Sequence, residues 1–294
     1  MKVIVTGSLG NISKPLTELL VQKGHNVVVI SSKQDKQKGI EALGAVAAIG
    51  SVEDATFLTA AFRGSDIVYC MIPPNYWFNG ADPIEYCRQV GNNYAQAIRQ
   101  AGVKRAVQLS SFGADLDKGT GFILGAHHVE KILGGLSDVA ITYIRPTSFY
   151  NNLYGFTDMI KGAGFIAANY GGEDKLSFVS GKDIAAAIVE EMETPPVHRK
   201  VRYVASDELT GNQVAGVLGA AIGKPGLKWI TITDEETLSG LEARGMSRII
   251  AANLVELYAC YHSGELSKDY ERNKPKEFGK IKLTDFAKEF ARGF

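Results

Sequence analysis

Cysteine is scarce in this 294-residue chain: Cys70, Cys87 and Cys260 are odd in number, far apart and without CxxC spacing. Neither a disulfide framework nor a zinc site is indicated, and core packing is their expected role. An excess of charge is missing too, since 32 Lys and Arg balance 32 Asp and Glu. Without a net field, neither nucleic acid nor a membrane surface is an expected partner. No apolar stretch reaches the roughly 18 residues that read as a membrane span. The apolar run at residues 3–5 breaks at Thr6 and Gly7, too short for a signal peptide. A soluble, cytoplasmic location is the simplest expectation. Absent as well are GK[ST] after a glycine loop, HExxH and GxSxG, which removes the chemistries those motifs carry. The five histidines, at 25, 127, 128, 198 and 262, are scattered, and the adjacent pair diverges by about 100° on a helix. No metal site is expected.

What is abundant is apolar residue, 45% of the chain, enough for one large domain or a domain with a smaller lobe. Six β-branched or apolar runs, at 3–5, 26–30, 46–49, 66–71, 105–109 and 140–144, alternate with helical patterns. The helices are expected at about 12–22, 38–43, 54–62, 84–101 and 125–133. This order predicts an α/β fold, a doubly wound parallel sheet of Rossmann type covered on both faces. Beyond Pro146 the rhythm loosens, and a smaller mixed α/β lobe is expected from residue 151 to 294, with 1–150 as the dinucleotide-binding domain. Its helices are expected near 181–192, 212–222, 234–243, 247–260 and 284–291. Part of this chain has room to return to the sheet. Ile249, Ile250, Leu254, Leu257 and Tyr258 form a stripe that reads as core rather than as a partner groove.

TGSLGNIS, residues 6–13, follows the first strand and opens the first helix. Such a turn puts backbone N–H groups and the positive helix end where a pyrophosphate sits. Gly7 and Gly10 supply the tight turn and the close backbone approach. The third glycine of the fingerprint serves helix-to-strand packing, and here it is Ser13, a small residue whose hydroxyl can bond a backbone group or a phosphate oxygen. Pro15 falls in the first helical turn, where its missing N–H is harmless. The bland alternative is an ordinary tight turn.

The second strand ends in Ser31, Ser32 and Lys33. A carboxylate there favours NAD(H); small polar groups and a cation suit a 2′-phosphate. NADP(H) is therefore favoured over NAD(H), with Asp35 close enough to count against it and a merely solvated Lys33, Lys36 and Lys38 as the alternative.

TGSLGNIS, VYCMIPP (68–74), AGVKRAVQLSSFGA (101–114), ITYIRPTSFYNNL (141–153), VSGKDIAAAI (179–188) and the terminal LTDFAKEF lie along the whole chain. Together they resemble the NmrA-like branch of the atypical short-chain dehydrogenases/reductases. That family mixes NAD(P)H-dependent reductases of quinones and plant phenolic ethers with regulators that bind the cofactor without turnover. The resemblance implies that Gly7, Leu9, Gly10, Asn11 and Ile12 line the pyrophosphate and that Ser31, Ser32 and Lys33 surround the adenosine ribose. It also implies that Met71, Ile72 and Pro73 pass the nicotinamide ribose, that Ser110, Ser111 and Phe112 lie beneath the nicotinamide, and that the segment from Pro146 to Phe149 closes over it. The chain departs from the pattern at Ser13 and at the Tyr-x-x-x-Lys of active short-chain dehydrogenases, which reads His127-His128-Val129-Glu130-Lys131.

His127 and Lys131, four apart, share one helix face. In the full short-chain mechanism the lysine bonds the nicotinamide ribose and lowers the pKa of a tyrosine phenol that donates the proton. Here the lysine remains and an imidazole, ordinarily titrating near about 6.5, stands where the phenol is expected. A quinone is electrophilic enough for orientation alone to suffice, so His127 is either an acid or an ordinary helix residue. Tyr76, Trp77 and Phe78 offer a flat apolar wall for a planar substrate, or pack the two lobes together. Tyr150, Asn151 and Asn152 offer polar contacts to substrate or cofactor, and Asp183 reads as a helix cap.

The leading expectation is an NADP(H)-dependent oxidoreductase acting on a small planar electrophile such as a quinone or enone. A redox-sensing regulator that binds NAD(P) and signals to a protein partner is the alternative. A sugar-nucleotide epimerase is disfavoured by the missing tyrosine.

Overall fold

The computed structural model describes residues 1–74 and 82–294. Strands and helices alternate as β1 (Lys2–Val5), α1 (Ser13–Gln22), β2 (Asn26–Ser31), α2 (Gln37–Ala42), β3 (Val46–Ile49), α3 (Ala55–Phe62), β4 (Ile67–Cys70), α4 (Pro83–Ala101), β5 (Arg105–Leu109), α5 (Leu124–Gly134) and β6 (Ala140–Pro146). The chain continues through β7 (Ser148–Phe149), α6 (Thr157–Gly162), β8 (Ile166–Ala168), β9 (Lys175–Val179), α7 (Gly181–Glu193) and β10 (Arg199–Val204). It ends with β11 (Asp207–Thr210), α8 (Gly211–Ala221), β12 (Trp229–Thr231), α9 (Asp234–Ala243), α10 (Arg248–His262), α11 (Lys268–Arg272) and α12 (Leu283–Phe290).

The seven-stranded central sheet has the order β10-β6-β5-β4-β1-β2-β3, with every neighbouring pair parallel. Strand side chains alternate between two cores because both sheet faces are covered. Val3, Val5, Val27, Val29, Val107 and Ile144 pack with Leu16 and Leu20 of α1 and with Ile184, Ile188 and Met192 of α7. Ile4, Ile30, Val68, Ala106 and Ile141 pack with Leu58 and Phe62 of α3, Val90 and Tyr94 of α4, and Val129 and Leu133 of α5. Local signals set the long α4: Asp82 accepts from the N–H groups of Ile84 and Glu85, Pro83 starts the helix, and Gly102 ends it at φ 72°.

Six of the seven strands were legible as apolar runs; β10 was not. Its sequence RKVRYV puts Arg199, Lys200 and Arg202 on the edge of the sheet, where cations discourage pairing with another chain and hide the strand from a search for apolar runs. The remaining strands make a β11-β9-β7 sheet and a β12-β8 pair. These pack around an aromatic core of Tyr150, Phe156, Phe178, Trp229, Tyr261, Tyr270, Phe286 and Phe290. On α10, Ile250 is buried and Leu257 and Tyr258 pack against this core, but Ile249 is 51% exposed. All three cysteines are free and buried.

Candidate active site

The strand order reverses between β1 and β4, so their carboxyl ends open a crevice in which doubly wound folds bind their ligands. Thr6 spans it: its Oγ1 donates to the Tyr69 carbonyl at 3.1 Å and accepts from the Met71 N–H at 2.9 Å. The glycine loop starts there. Gly7 has φ +92°, and a Cβ on it would meet Ser13 Oγ at 2.5 Å and Met71 Cγ at 2.9 Å. Ser8 also takes a positive φ, 54°, held by its N–H on the Ile30 carbonyl at 3.1 Å and its Oγ on Ser31 Oγ at 2.9 Å. Leu9 lies over α2, where a Cβ on Gly39 would meet it at 2.9 Å. Gly181 at the start of α7 braces the far side, since a Cβ there would meet the Asn11 carbonyl at 2.5 Å.

Ser13 is buried, and its hydroxyl donates to the Thr6 carbonyl at 2.8 Å. Its one proton thus serves the backbone and the close helix packing. The first turn of α1 has no side-chain cap, and the N–H groups of Leu9, Asn11 and Ile12 donate to no acceptor among the described residues. A loop at positive φ leading into open, forward-facing N–H groups fits the pyrophosphate of a dinucleotide. At the end of β2, Ser31 is buried with its hydroxyl engaged by Ser8 and by the Lys33 N–H at 3.2 Å. Ser32 and Lys33 are exposed, as is Asp35.

Past β4, the Tyr94 hydroxyl donates to the Met71 carbonyl at 2.6 Å, and Ile72 and Pro73 are half-buried. The Ser110 N–H donates to the Ile144 carbonyl at 2.8 Å and that of Phe112 to Pro146 at 3.1 Å, zipping the ends of β5 and β6 together. Ser111 Oγ donates to the Phe112 carbonyl at 3.0 Å. The Phe112 ring itself turns into the aromatic core, 5.4 Å from Tyr261 and 5.7 Å from Tyr270 between ring centres. Phe149 and Asn151 are half-buried. Tyr150 is buried, stacked on Phe178 and Phe286, with its hydroxyl on Asp207 Oδ2 at 2.7 Å. Tyr76, Trp77 and Phe78 lie outside the described residues.

Asp183 is not a helix cap. Ser180 caps α7 by accepting from the Lys182 N–H, while Asp183, in the first turn, accepts from Ser206 Oγ at 2.7 Å and from the N–H groups of Lys280 at 3.1 Å and Ile281 at 3.0 Å. The carboxylate ties a distant stretch of chain to the start of α7.

On α5, His127 is buried and its Nδ1 lies 2.9 Å from the Ala114 carbonyl. A carbonyl only accepts, so Nδ1 carries a proton. In the neutral ring Nε2 then holds a lone pair, and only the imidazolium donates there. His128 turns away to Arg88, 2.7 Å from its Nη2. Burial, and next the Arg88 charge, lower the His128 pKa. His127 and the exposed Lys131 line one cavity of about 230 Å³ with Ala114, Asp115, Glu130, Tyr143 and Arg145. Residues of the glycine loop do not line it.

Glu130, which the motif comparison passed over, joins the two regions. Its Oε1 accepts from Ser110 Oγ at 2.5 Å and from Arg145 Nε at 2.9 Å, and its Oε2 accepts from Arg145 Nη2 at 2.7 Å. Arg145 Nη1 donates to Tyr203 Oη and to Asp269 Oδ2, both at 3.1 Å, and Asp115 Oδ1 stands 3.8 Å away. Burial opposes the charge on Arg145, but the hydrogen bonds and charge of Glu130 outweigh it and hold the guanidinium protonated. The legible signal was Arg145 itself: a cation inside the apolar strand AITYIRP needs a buried acid. Among the described residues no His, Cys, Asp and Glu group is arranged for a metal, and no helix is long and apolar enough to cross a membrane.

A parallel doubly wound sheet with a glycine loop at its switch point defines a protein of the NAD(P)-binding Rossmann class. The model of the NmrA-like family matches residues 1–289, and the chain belongs to that family. It is 28% identical to an NAD(P)H azoreductase of Xenophilus azovorans, over 99% of both chains. Among solved structures it is similar to an NADPH-dependent quinone oxidoreductase of Escherichia coli complexed with NADPH, with TM-score 0.83 and 20% identity over 98% of this chain and 99% of that one. The Citrobacter triphenylmethane reductase complexed with NADP(H) gives TM-score 0.79 and 20% identity, over 98% of this chain and 99% of its own.

Proposed function

We propose that the protein is an NAD(P)H-dependent reductase that passes hydride to a small planar electrophile, a quinone or enone, with NADP(H) preferred. The observation that carries this reading is the open N-terminus of α1 behind a Gly7 held at φ +92°, and the full-length likeness to an azoreductase supports it. The chain divides in function near residue 150, with 1–150 holding the cofactor and 151–294 shaping the substrate site, while β10 and α7 return to the main sheet.

Reduced nicotinamide, when bound, supplies the hydride. The open N–H groups of Leu9, Asn11 and Ile12 hold the pyrophosphate, and Ser32 and Lys33 take the adenosine ribose end. Lys131 orients the nicotinamide ribose. His127 presents Nε2 toward the acceptor, orienting it when neutral and delivering a proton when charged. Hydride and one proton convert a quinone to the hydroquinone monoanion's conjugate acid, the hydroquinone. Side chains thus orient and protonate while the acceptor's own electrophilicity drives the transfer.

The test is turnover: NADPH is mixed with a panel of quinones, enones and azo dyes and its absorbance loss followed. Oxidation well above a Lys131→Ala control is expected. Micromolar NADPH binding without oxidation above that control would replace this reading with a cofactor-sensing regulator. Parallel titrations with NADPH and NADH test the preference, which tighter NADH binding overturns.

A further inference from the structure

Ser110 directly follows β5 with 7% of its surface exposed, and its hydroxyl contacts a carboxylate. That carboxylate, Glu130, is gripped by the Arg145 guanidinium through both oxygens at 2.9 and 2.7 Å, its side chain only 12% exposed. A carboxylate gripped by a guanidinium through both oxygens accepts hydrogen bonds there and donates none. The single proton of Ser110 is therefore committed to Glu130, and Oγ faces any ligand with lone pairs alone. Arg145 is fixed in turn by Asp269 and Tyr203, whose hydroxyl donates to Asp269 Oδ2 at 2.6 Å, so Glu130 has no slack to swing away.

We propose that Glu130 is a positioning residue that holds Ser110 Oγ as a hydrogen-bond acceptor for the carboxamide N–H of the nicotinamide. This rests on the cofactor reading above. A serine hydroxyl free to rotate serves a donor and an acceptor equally; one locked onto a carboxylate discriminates. The site then reads the amide end of the carboxamide and sets its orientation relative to the ring.

The probe is a pair of cofactors: NADP⁺ and its 3-acetylpyridine analogue, which carries a methyl ketone and no N–H. Dissociation constants and Tm are measured for the wild type, Ser110→Ala, Glu130→Gln and the double variant. The wild type is expected to prefer NADP⁺ by about tenfold, the worth of one good hydrogen bond. Ser110→Ala loses the preference. Glu130→Gln also weakens it, because the amide either accepts the serine proton as a weaker, neutral oxygen or, flipped, presents its NH₂ to Ser110 and turns that proton outward. The double variant loses no more than Ser110→Ala alone.

Loss of the preference in Ser110→Ala but not in Glu130→Gln overturns the role of Glu130. An unchanged preference in Ser110→Ala overturns the acceptor role as a whole. Either result leaves cofactor binding intact, whereas a wild type that binds neither nucleotide sinks the cofactor reading itself. If Glu130→Gln lacks a native transition, Glu130→Asp makes the same comparison, keeping the charge beside Arg145 while drawing it back from Ser110 by one methylene.

Discussion

Ser13 Oγ donates to the Thr6 carbonyl at 2.8 Å and lies 2.5 Å from where a Cβ on Gly7 would stand. The loop and the helix are thus packed against each other through a hydroxyl at the position where the dinucleotide fingerprint has a third glycine. The substitution exchanges a void for a hydrogen bond and leaves the outward N–H groups of the loop untouched.

Ser13→Ala is accordingly expected to lower stability by about 1 kcal/mol, the net worth of one buried hydrogen bond, while the NADPH dissociation constant moves less than about threefold. Thermal unfolding and a nicotinamide-fluorescence titration measure the two effects. A tenfold loss of affinity with unchanged Tm would assign the hydroxyl to the phosphate instead.

Gly7→Ala combines a side chain at φ +92° with contacts of 2.5 Å to Ser13 Oγ and 2.9 Å to Met71 Cγ. Strain and overlap together are expected to lower stability by about 2 to 4 kcal/mol and to abolish measurable NADPH binding. Adding Ser13→Gly removes the first contact but neither the strain nor the Met71 overlap, so Tm recovers in part only. Full recovery in the double variant would mean that φ at residue 7 carries no strain.

At the other end of the site, the hydroxyl of Ser31 is engaged by Ser8, and Ser32 and Lys33 are left exposed. On the proposed NADP(H) preference, discrimination of the 2′-phosphate would fall chiefly on Lys33. Lys33→Glu is expected to weaken NADPH binding by at least about tenfold and to leave NADH within about twofold. Equal losses for both nucleotides would show that Lys33 acts on the loop and not on the phosphate.

The central sheet was legible because strands buried on both faces read as uninterrupted β-branched runs, Asn26 to Ser31 being the clearest. β10 escaped because its cations break the apolar run, Arg199 bonding the Gly134 and Leu136 carbonyls and Lys200 and Arg202 pairing with Glu191. Asp183 was misread because a carboxylate in a first helical turn looks like a cap, whereas its partners Lys280 and Ile281 are almost a hundred residues away. Glu130 was passed over because motif comparison directs attention to Lys131 and to the missing tyrosine. Its importance comes from Ser110, just beyond β5, and Arg145 on the neighbouring β6, which approach it only once the sheet has formed.

Asp115 faces the same cluster. Burial pushes its carboxyl pKa up, with the charges of Asp269 and Glu130 adding and its own backbone and Arg145 opposing. The folded protein therefore binds this proton more tightly than the unfolded chain. The contribution to stability is full at low pH, where both states are protonated. It is lost as pH rises through the unfolded value of about 3.9 toward the raised folded one, and the destabilisation persists above it. Asp115→Asn is expected to raise Tm at neutral pH and to match the wild type near about pH 3. A lower Tm at neutral pH would mean that Arg145 needs this charge despite Glu130 and Asp269.

His127 brings the geometry to bear on turnover. With Nδ1–H on the Ala114 carbonyl, a proton reaches substrate only from Nε2 of the imidazolium. If it is the acid, kcat is highest where the ring is doubly protonated and falls as pH rises and the ring becomes neutral. General acid catalysis is typically worth about 10² to 10⁴ in rate, and a quinone, being strongly electrophilic, should draw on the lower end. His127→Asn retains an N–H for Ala114 and removes Nε2; His127→Phe removes both. Both variants are expected to lose about 10² in kcat at acidic pH and to give flat profiles across about pH 5 to 9. Loss in His127→Phe with full activity in His127→Asn would assign the residue to packing beneath Ala114. A wild-type profile already flat, with kcat kept in both variants, would leave the orientation of the acceptor and protonation by water as the whole of the chemistry.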